Sequence, residues 1–333
     1  MNILFLIGNG FDLNLGLNTK FKDVIDEYLQ IKTGDTNITK FQEEFKDHNK
    51  SWSDFEKALG EYTIKFTSKN IDDFIFQIQS FHDVLIKKLS NEENRIDYER
   101  NIGDIFSKMQ KSLIAFNDYL DDEGKQEISS LLSTDRVFNY NFISFNYTSV
   151  FDKCLVVFAN NISSLNTFQI SRSINAIVHI HGTLQKDLIL GVDNTDQIAN
   201  TELSEDENFH WKIIKPIMNK ELGSLGTKKS KMLIDKSQII CIFGMSIGET
   251  DKTWWEYIFD WLSENNSRHL VIFYHIDIDE MNPIKKIENK KRIKDLFFFA
   301  AGQTHEESIK KCADRIHIAN SGDMFKMDIL SLK

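Results

Sequence analysis

The 333-residue chain has only 2 prolines and 3 cysteines, and no apolar run approaches the roughly 20 residues that cross a bilayer. Each scarcity excludes something. Cys154, Cys241 and Cys312 are odd in number, far apart and without CxxC spacing. They exclude a disulfide framework and a four-cysteine zinc site, and they point to a reducing compartment. Met1 to Ile7 lacks a basic stretch and a small-residue cleavage site, so it reads as a buried first strand of a cytoplasmic protein, with no membrane partner expected. Basic charge is also short: 40 Lys and Arg stand against 50 Asp and Glu, for a net charge of −10. Such a field repels polyanions, so non-specific nucleic-acid binding is not expected. Glycine is sparse as well, 15 residues against an average of about 7%. Where glycines cluster, they carry information.

What the chain does have is apolar patterning of two periods. Asn2 to Ile7 is a short apolar run ending at a glycine, which reads as a strand buried on both faces. Thr19 offers a helix N-cap, and Phe21, Val24, Ile25, Tyr28 and Leu29 then repeat at helical spacing. The chain stays helical well beyond that point. Stripes run through Trp52, Phe55, Leu59, Tyr62 and Phe66, then Phe74, Ile78, Phe81, Leu85 and Leu89, then Ile102, Phe106, Met109, Leu113, Phe116 and Leu120. Strand signals resume at Phe142–Asn146, Ala176–Gly182, Leu188–Gly191, Gln238–Gly244, Leu270–Asp277 and Leu296–Phe299, with helical stretches such as Thr253–Leu262 between them. The expected fold is α/β: a Rossmann-like, mostly parallel sheet formed by 1–18 and 136–333, with a large helical insertion over 19–135. The basic run Lys285–Lys294 reads as a solvated helical face.

In open α/β sheets, ligands bind outside the carboxyl ends of strands, and four such ends are polar here. Gly8-Asn9-Gly10-Phe11-Asp12 can turn tightly or bring amides to a pyrophosphate; Leu13 breaks the GxGxxG pattern of dehydrogenases. Asn146, in Phe145-Asn146-Tyr147-Thr148, can meet a ribose hydroxyl or close an Asx turn. His179 and His181 share a strand face, which allows a metal pair, or one packed and one functional histidine. Gly244 to Asp251 is a second glycine loop, and Asp251 is also placed to cap the next helix. Ser53 and Glu56 have capping-box spacing.

These motifs, GNGFD, FNYT, HIHG and GMSIGETD in that order, resemble the bacterial abortive-infection AbiH family, as do the opening NILFLIGNGFDLNLGL, the Trp52-x-x-Phe55-Glu56 element and Trp254-Trp255. The likeness covers residues 1 to about 280 and implies a role in bacteriophage resistance. More distantly, the chain resembles the SIR2-type NAD-binding fold. That likeness implies a pyrophosphate loop at Gly8 and Gly10, an adenosine-side loop at Gly244 and Ser246, a ribose-facing Asn146 and a catalytic base at His181; Asn9 and Asp251, in the same two loops, are expected to join the nucleotide site. The zinc-binding cysteines of protein deacylases are absent, and Phe11-Asp12 replaces their small and hydroxyl residues. Deacylation is therefore not implied, while NAD binding and hydrolysis are.

The chemistry agrees in outline. Nicotinamide leaves NAD as a neutral molecule, so a site needs to hold the ribose, stabilise an oxocarbenium-like carbon and aim a water. Asn146 and His181 suit the ribose and the proton, and Asp12 suits the cationic carbon. The expectation is a phage-defence protein that hydrolyses the N-glycosidic bond of NAD or a related nucleotide, with no metal. A phage-derived or protein trigger and self-association are its expected partners. Two alternatives stay open: a nucleotide sensor without turnover, and a metal-dependent phosphoesterase or nuclease using His179, His181 and Asp193 or Asp251.

Overall fold

Every residue from Ile3 to Ile7 is fully buried in β1 (Asn2–Ile7), as a strand with helices on both faces requires. A computed structural model describes residues 1–46, 52–167, 169–275 and 282–331. Five further strands join β1: β2 (Val137–Ser144), β3 (Ser171–His179), β4 (Ile239–Phe243), β5 (His269–Tyr274) and β6 (Ile316–Asn320). All pairings are parallel, in the order β3-β2-β1-β4-β5-β6. This is the doubly wound order of the Rossmann fold, and it places the topological switch point between β1 and β4.

Fifteen α-helices fill the connections among the described residues. Between β1 and β2 lie α1 (Gly10–Asn14), α2 (Phe21–Leu29), α3 (Thr36–Phe45), α4 (Trp52–Tyr62), α5 (Ile71–Glu93), α6 (Ile102–Ile114) and α7 (Asp122–Ser133). Helix α8 (Val150–Asn161) joins β2 to β3, and α9 (Thr201–Ser204), α10 (Glu207–Ile213), α11 (Lys215–Glu221) and α12 (Gly226–Lys236) join β3 to β4. Last come α13 (Lys252–Glu264), α14 (Pro283–Ala300) and α15 (Glu306–Ala313).

Strand alternation divides the packing. Ile3, Phe5 and Ile7 join a core with Met109, Leu113 and Phe116 of the α6 region, while Leu4 and Leu6 join Trp255, Ile258 and Phe297 on the other face. The helices between β1 and β2 fall into two groups. Helices α6 and α7 cover the sheet, whereas α2 to α5 build a third core with Leu190, Val192, Phe209 and Ile213 from the β3–β4 connection. Its centre is aromatic: Phe21 stacks on Phe55 at 4.3 Å and Phe55 meets Phe81 at 5.0 Å. No helix among the described residues is long and apolar enough to cross a membrane.

Several local expectations are corrected. Leu296–Phe299 is helical, the end of α14, with Phe297 and Phe298 buried and Phe299 71% exposed. A four-residue apolar run has no length to separate the two periods. Leu188–Gly191 is not a strand; Val192 makes only an isolated bridge to Ile214. Strand β6 escapes notice because polar His317 and Asn320 interrupt its five residues. Residue 277, in the expected strand ending there, lies outside the described residues. Thr19 does not cap α2, whose N-cap is Lys20; its hydroxyl donates to Asn9 Oδ1 at 2.7 Å.

Candidate functional site

The glycine loops after β1 and β4 meet at the switch point. Gly8 N–H donates to Phe243 O at 2.9 Å and Gly10 N–H to Gly244 O at 2.8 Å. A Cβ on Gly8 would lie 2.5 Å from Gly244 O, and one on Gly10 2.4 Å from Gly244 Cα. Gly244 itself has φ +69°, which favours glycine. These glycines bring two backbones together, and the Gly8 and Gly10 amides expected to face a pyrophosphate are already donated within the protein. Asn9 is likewise engaged, its Nδ2 donating to Thr19 O at 2.9 Å. Ser246 is exposed at the rim of the cleft above the loops.

That cleft has a volume of about 1030 Å³. The loops after β1, β2, β3 and β4 contribute Gly10, Asn146, His181 and Gly244 to its lining, and α4 adds Trp52 and Glu56. Asn146 sits just beyond β2 and is buried; its Nδ2 lies 3.4 Å from Asp12 Oδ1. Its Oδ1 has no partner among the described residues. Asp12 is 0% exposed and also accepts from the Thr148 hydroxyl at 2.6 Å. The expected direct electrostatic role of Asp12 on a substrate carbon does not suit this placement, because its oxygens face Thr148 and Asn146. It orients Asn146 instead. Burial pushes the Asp12 carboxyl up to about 7, against the pull of Thr148. In the unfolded chain the same group ionises near its ordinary value, so its contribution to stability is fully present below about pH 4 and is lost as pH rises towards 7. Urea denaturation of the wild type should show a decline of about 2–3 kcal/mol between pH 5 and 7 that Asp12→Asn flattens; an equal decline in the variant would reject this assignment.

His181 follows β3, and Gly182 behind it turns at φ +70°, where a Cβ would strike Asp187 O at 1.9 Å. The glycine of the His-Gly pair is thus structural, and the histidine is held edge-on to Phe145 at 5.6 Å. His181 Nε2 lies 3.7 Å from Asp251 Oδ1, and Nδ1 has no partner among the described residues. Burial and the Lys215 ammonium lower the imidazole's pKa, with Asp251 opposing them. Lys215 is 2% exposed, 2.8 Å from Glu56 Oε2 and 3.8 Å from Asp251 Oδ1. Burial disfavours its charge, yet Glu56 and Asp251 hold the ammonium above its ordinary value. Burial raises the Glu56 carboxyl despite Lys215, while Lys215 and His181 outweigh burial at Asp251 and lower it. Asp193 accepts from the Thr253 hydroxyl at 2.5 Å.

The structure therefore brings together Gly8, Asn9, Gly10, Asp12, Asn146, His181, Gly244, Ser246 and Asp251 around one cleft. Asp251 is the N-cap residue of α13 but makes no side-chain capping bond; its carboxylate faces the cluster. Glu56 likewise pairs with Lys215, and the Ser53 side chain lies outside those described. The histidine pair separates: His179 Nε2 lies 2.9 Å from Asp152 Oδ1, while His181 faces Asp251. Among the described residues the two form no metal-ligand cluster with Asp193 or Asp251. Lys215 escaped sequence reasoning because it belongs to no motif. Its one signal is a lone cation among Ile213, Ile214, Pro216 and Ile217.

Four side-chain atoms at this site, Asn146 Oδ1, His181 Nδ1, Thr250 Oγ1 and Asp251 Oδ1, are buried without a hydrogen-bond partner among the described residues. Buried polar atoms are normally satisfied, so such a concentration marks a place where a ligand or water completes the set. A family model described as bacteriophage abortive infection AbiH matches residues 4–274, a span that holds both glycine loops, Asn146, His181 and Lys215. No curated protein matches the chain.

Proposed function

The chain belongs to the AbiH family of bacteriophage abortive infection, and from that premise we propose that it binds NAD or a related nucleotide in the switch-point cleft and hydrolyses its N-glycosidic bond. The observation that carries the reading is the set of unpartnered buried atoms, Asn146 Oδ1 and His181 Nδ1 foremost, in a cleft of about 1030 Å³ at the ligand-binding end of a doubly wound sheet. That volume is at the upper end for small-molecule sites and suits a dinucleotide.

The chemistry follows from the residues. Asp251 near Nε2 favours the tautomer with the proton on that nitrogen, leaving the unpartnered Nδ1 with a free lone pair. The depressed pKa keeps the ring neutral at pH 7, as a base requires. Asn146, its amide nitrogen directed at Asp12, presents its carbonyl oxygen to a ribose hydroxyl or to the attacking water. The bond from the anomeric carbon to nicotinamide breaks with its electron pair on the departing nitrogen. A water oxygen bonds to that carbon, and its proton passes to His181 Nδ1.

Incubating purified protein with NAD and measuring free nicotinamide tests the reading, with release expected. Calorimetric binding without release would favour the sensor alternative, and neither binding nor release would reject NAD as the ligand.

A further inference from the structure

At the end of the sheet opposite the cleft, three side chains remote in sequence converge. His269 opens β5, His317 lies in β6, and Glu127 projects from α7. His269 Nδ1 and His317 Nε2 are 3.1 Å apart, and the Glu127 carboxylate lies 3.8 Å from the first and 3.7 Å from the second. Both imidazoles are buried, 7% and 8% exposed, with ring planes within 20° of each other and centroids 5.4 Å apart. Gly124, one turn before Glu127, lets α7 approach: a Cβ there would lie 3.0 Å from His317 Nδ1.

Two imidazoles on one metal, each bound at about 2.1 Å, hold their nitrogens about 3.0–3.4 Å apart. The observed spacing falls in that range. A hydrogen bond from one ring to the other explains the short contact, but not a carboxylate set against both of the same nitrogens. We propose that Glu127, His269 and His317 form a site for a divalent transition metal of the zinc type, with the fourth position open to water. Binding asks the rings to turn their lone pairs off the nitrogen–nitrogen line towards Glu127. The half-exposed Glu127 side chain closes the remaining gap of about half an ångström. The imidazole that donates to its neighbour moves its N–H to its outer nitrogen, so that both inner nitrogens present lone pairs. Neutral imidazole is the form that ligates. Two nitrogens and one carboxylate suit zinc, cobalt or nickel better than calcium or magnesium, which need mostly oxygen donors. The ion would tie β5 and the edge strand β6 to α7.

The test is equilibrium dialysis of the full chain against zinc chloride at pH 7.5, followed by metal analysis and thermal melting. One zinc per chain and a raised melting temperature are expected in the wild type. Glu127→Gln, on an exposed helical face, should weaken uptake at least tenfold, and His317→Asn should abolish it. Cobalt(II) should give the intense visible absorption of a four-coordinate site, which Glu127→Gln diminishes. Should His317→Asn not fold, the Glu127→Gln comparison decides alone. Absence of zinc from the wild type at micromolar free metal, or equal uptake by the wild type and Glu127→Gln, would overturn the proposal. Neither result depends on whether NAD is hydrolysed.

Discussion

His181→Ala should lower nicotinamide release by about a hundredfold or more while leaving nucleotide affinity nearly intact, the scale on which removal of a general base acts. The expectation rests on the unpartnered Nδ1 and on Asp251 3.7 Å from Nε2. Asn146→Ala should differ in kind. Its carbonyl oxygen is the unpartnered atom, so its loss weakens binding as well as turnover, raising KM and lowering kcat together. A histidine that only packs beside Phe145 would instead show a lower melting temperature, with activity in proportion to the folded protein. Melting curves and release assays on both variants separate these outcomes, and full activity in His181→Ala would reject the assigned base.

Lys215→Met should be the most destabilising single change at the site, by about 3–5 kcal/mol at pH 8 in urea denaturation. Removing the ammonium leaves Glu56 and Asp251 buried without their compensating cation, and the cost of an uncompensated buried charge exceeds the net worth of the pair. Two features identify the cause. Adding Glu56→Gln should restore part of the loss, because one of the stranded charges goes with it. Lowering the pH should restore part of it too, since burial already raises the Glu56 carboxyl and nothing opposes that rise once Lys215 is gone. A loss of under 1 kcal/mol, or one that neither change relieves, would show that the cluster is not held by this ion pair.

The strand-end residues were legible because each ends an apolar run that reads as a strand and breaks it with glycine, asparagine or histidine, although the edge strand β3 has no buried residue. That placement survives intact for Gly8, Gly10, Asn146, His181 and Gly244. What each does there was not legible. The amides of Gly8 and Gly10 are donated to Phe243 and Gly244, which lie more than 230 residues away, so only the β1–β4 pairing shows that the glycines serve loop contact. Which atoms Asp12 meets in the cleft was not legible, because sequence does not reveal which side of a short helix turns inward. Its burial against Thr148 makes it the holder of Asn146. Glu56 and Lys215 meet only in the third core, which α4 and α11 enter from different connections. Capping spacing at Ser53 and Glu56 concealed that meeting. The His269–His317 pair needs two adjacent strands, one of which, the edge strand β6, carried too few apolar residues to be recognised.

The unpartnered atoms of the cleft are assigned as the groups that receive a nucleotide. A crystal structure of the protein soaked with NAD tests this assignment most directly, using His181→Ala if the wild type consumes the ligand. The account predicts the nicotinamide ribose at the switch point between β1 and β4, with a hydroxyl or bound water within hydrogen-bond distance of Asn146 Oδ1 and the anomeric carbon facing residue 181. A nucleotide bound elsewhere, or a cleft in which ordered water alone satisfies Asn146 Oδ1 at saturating NAD, would contradict it.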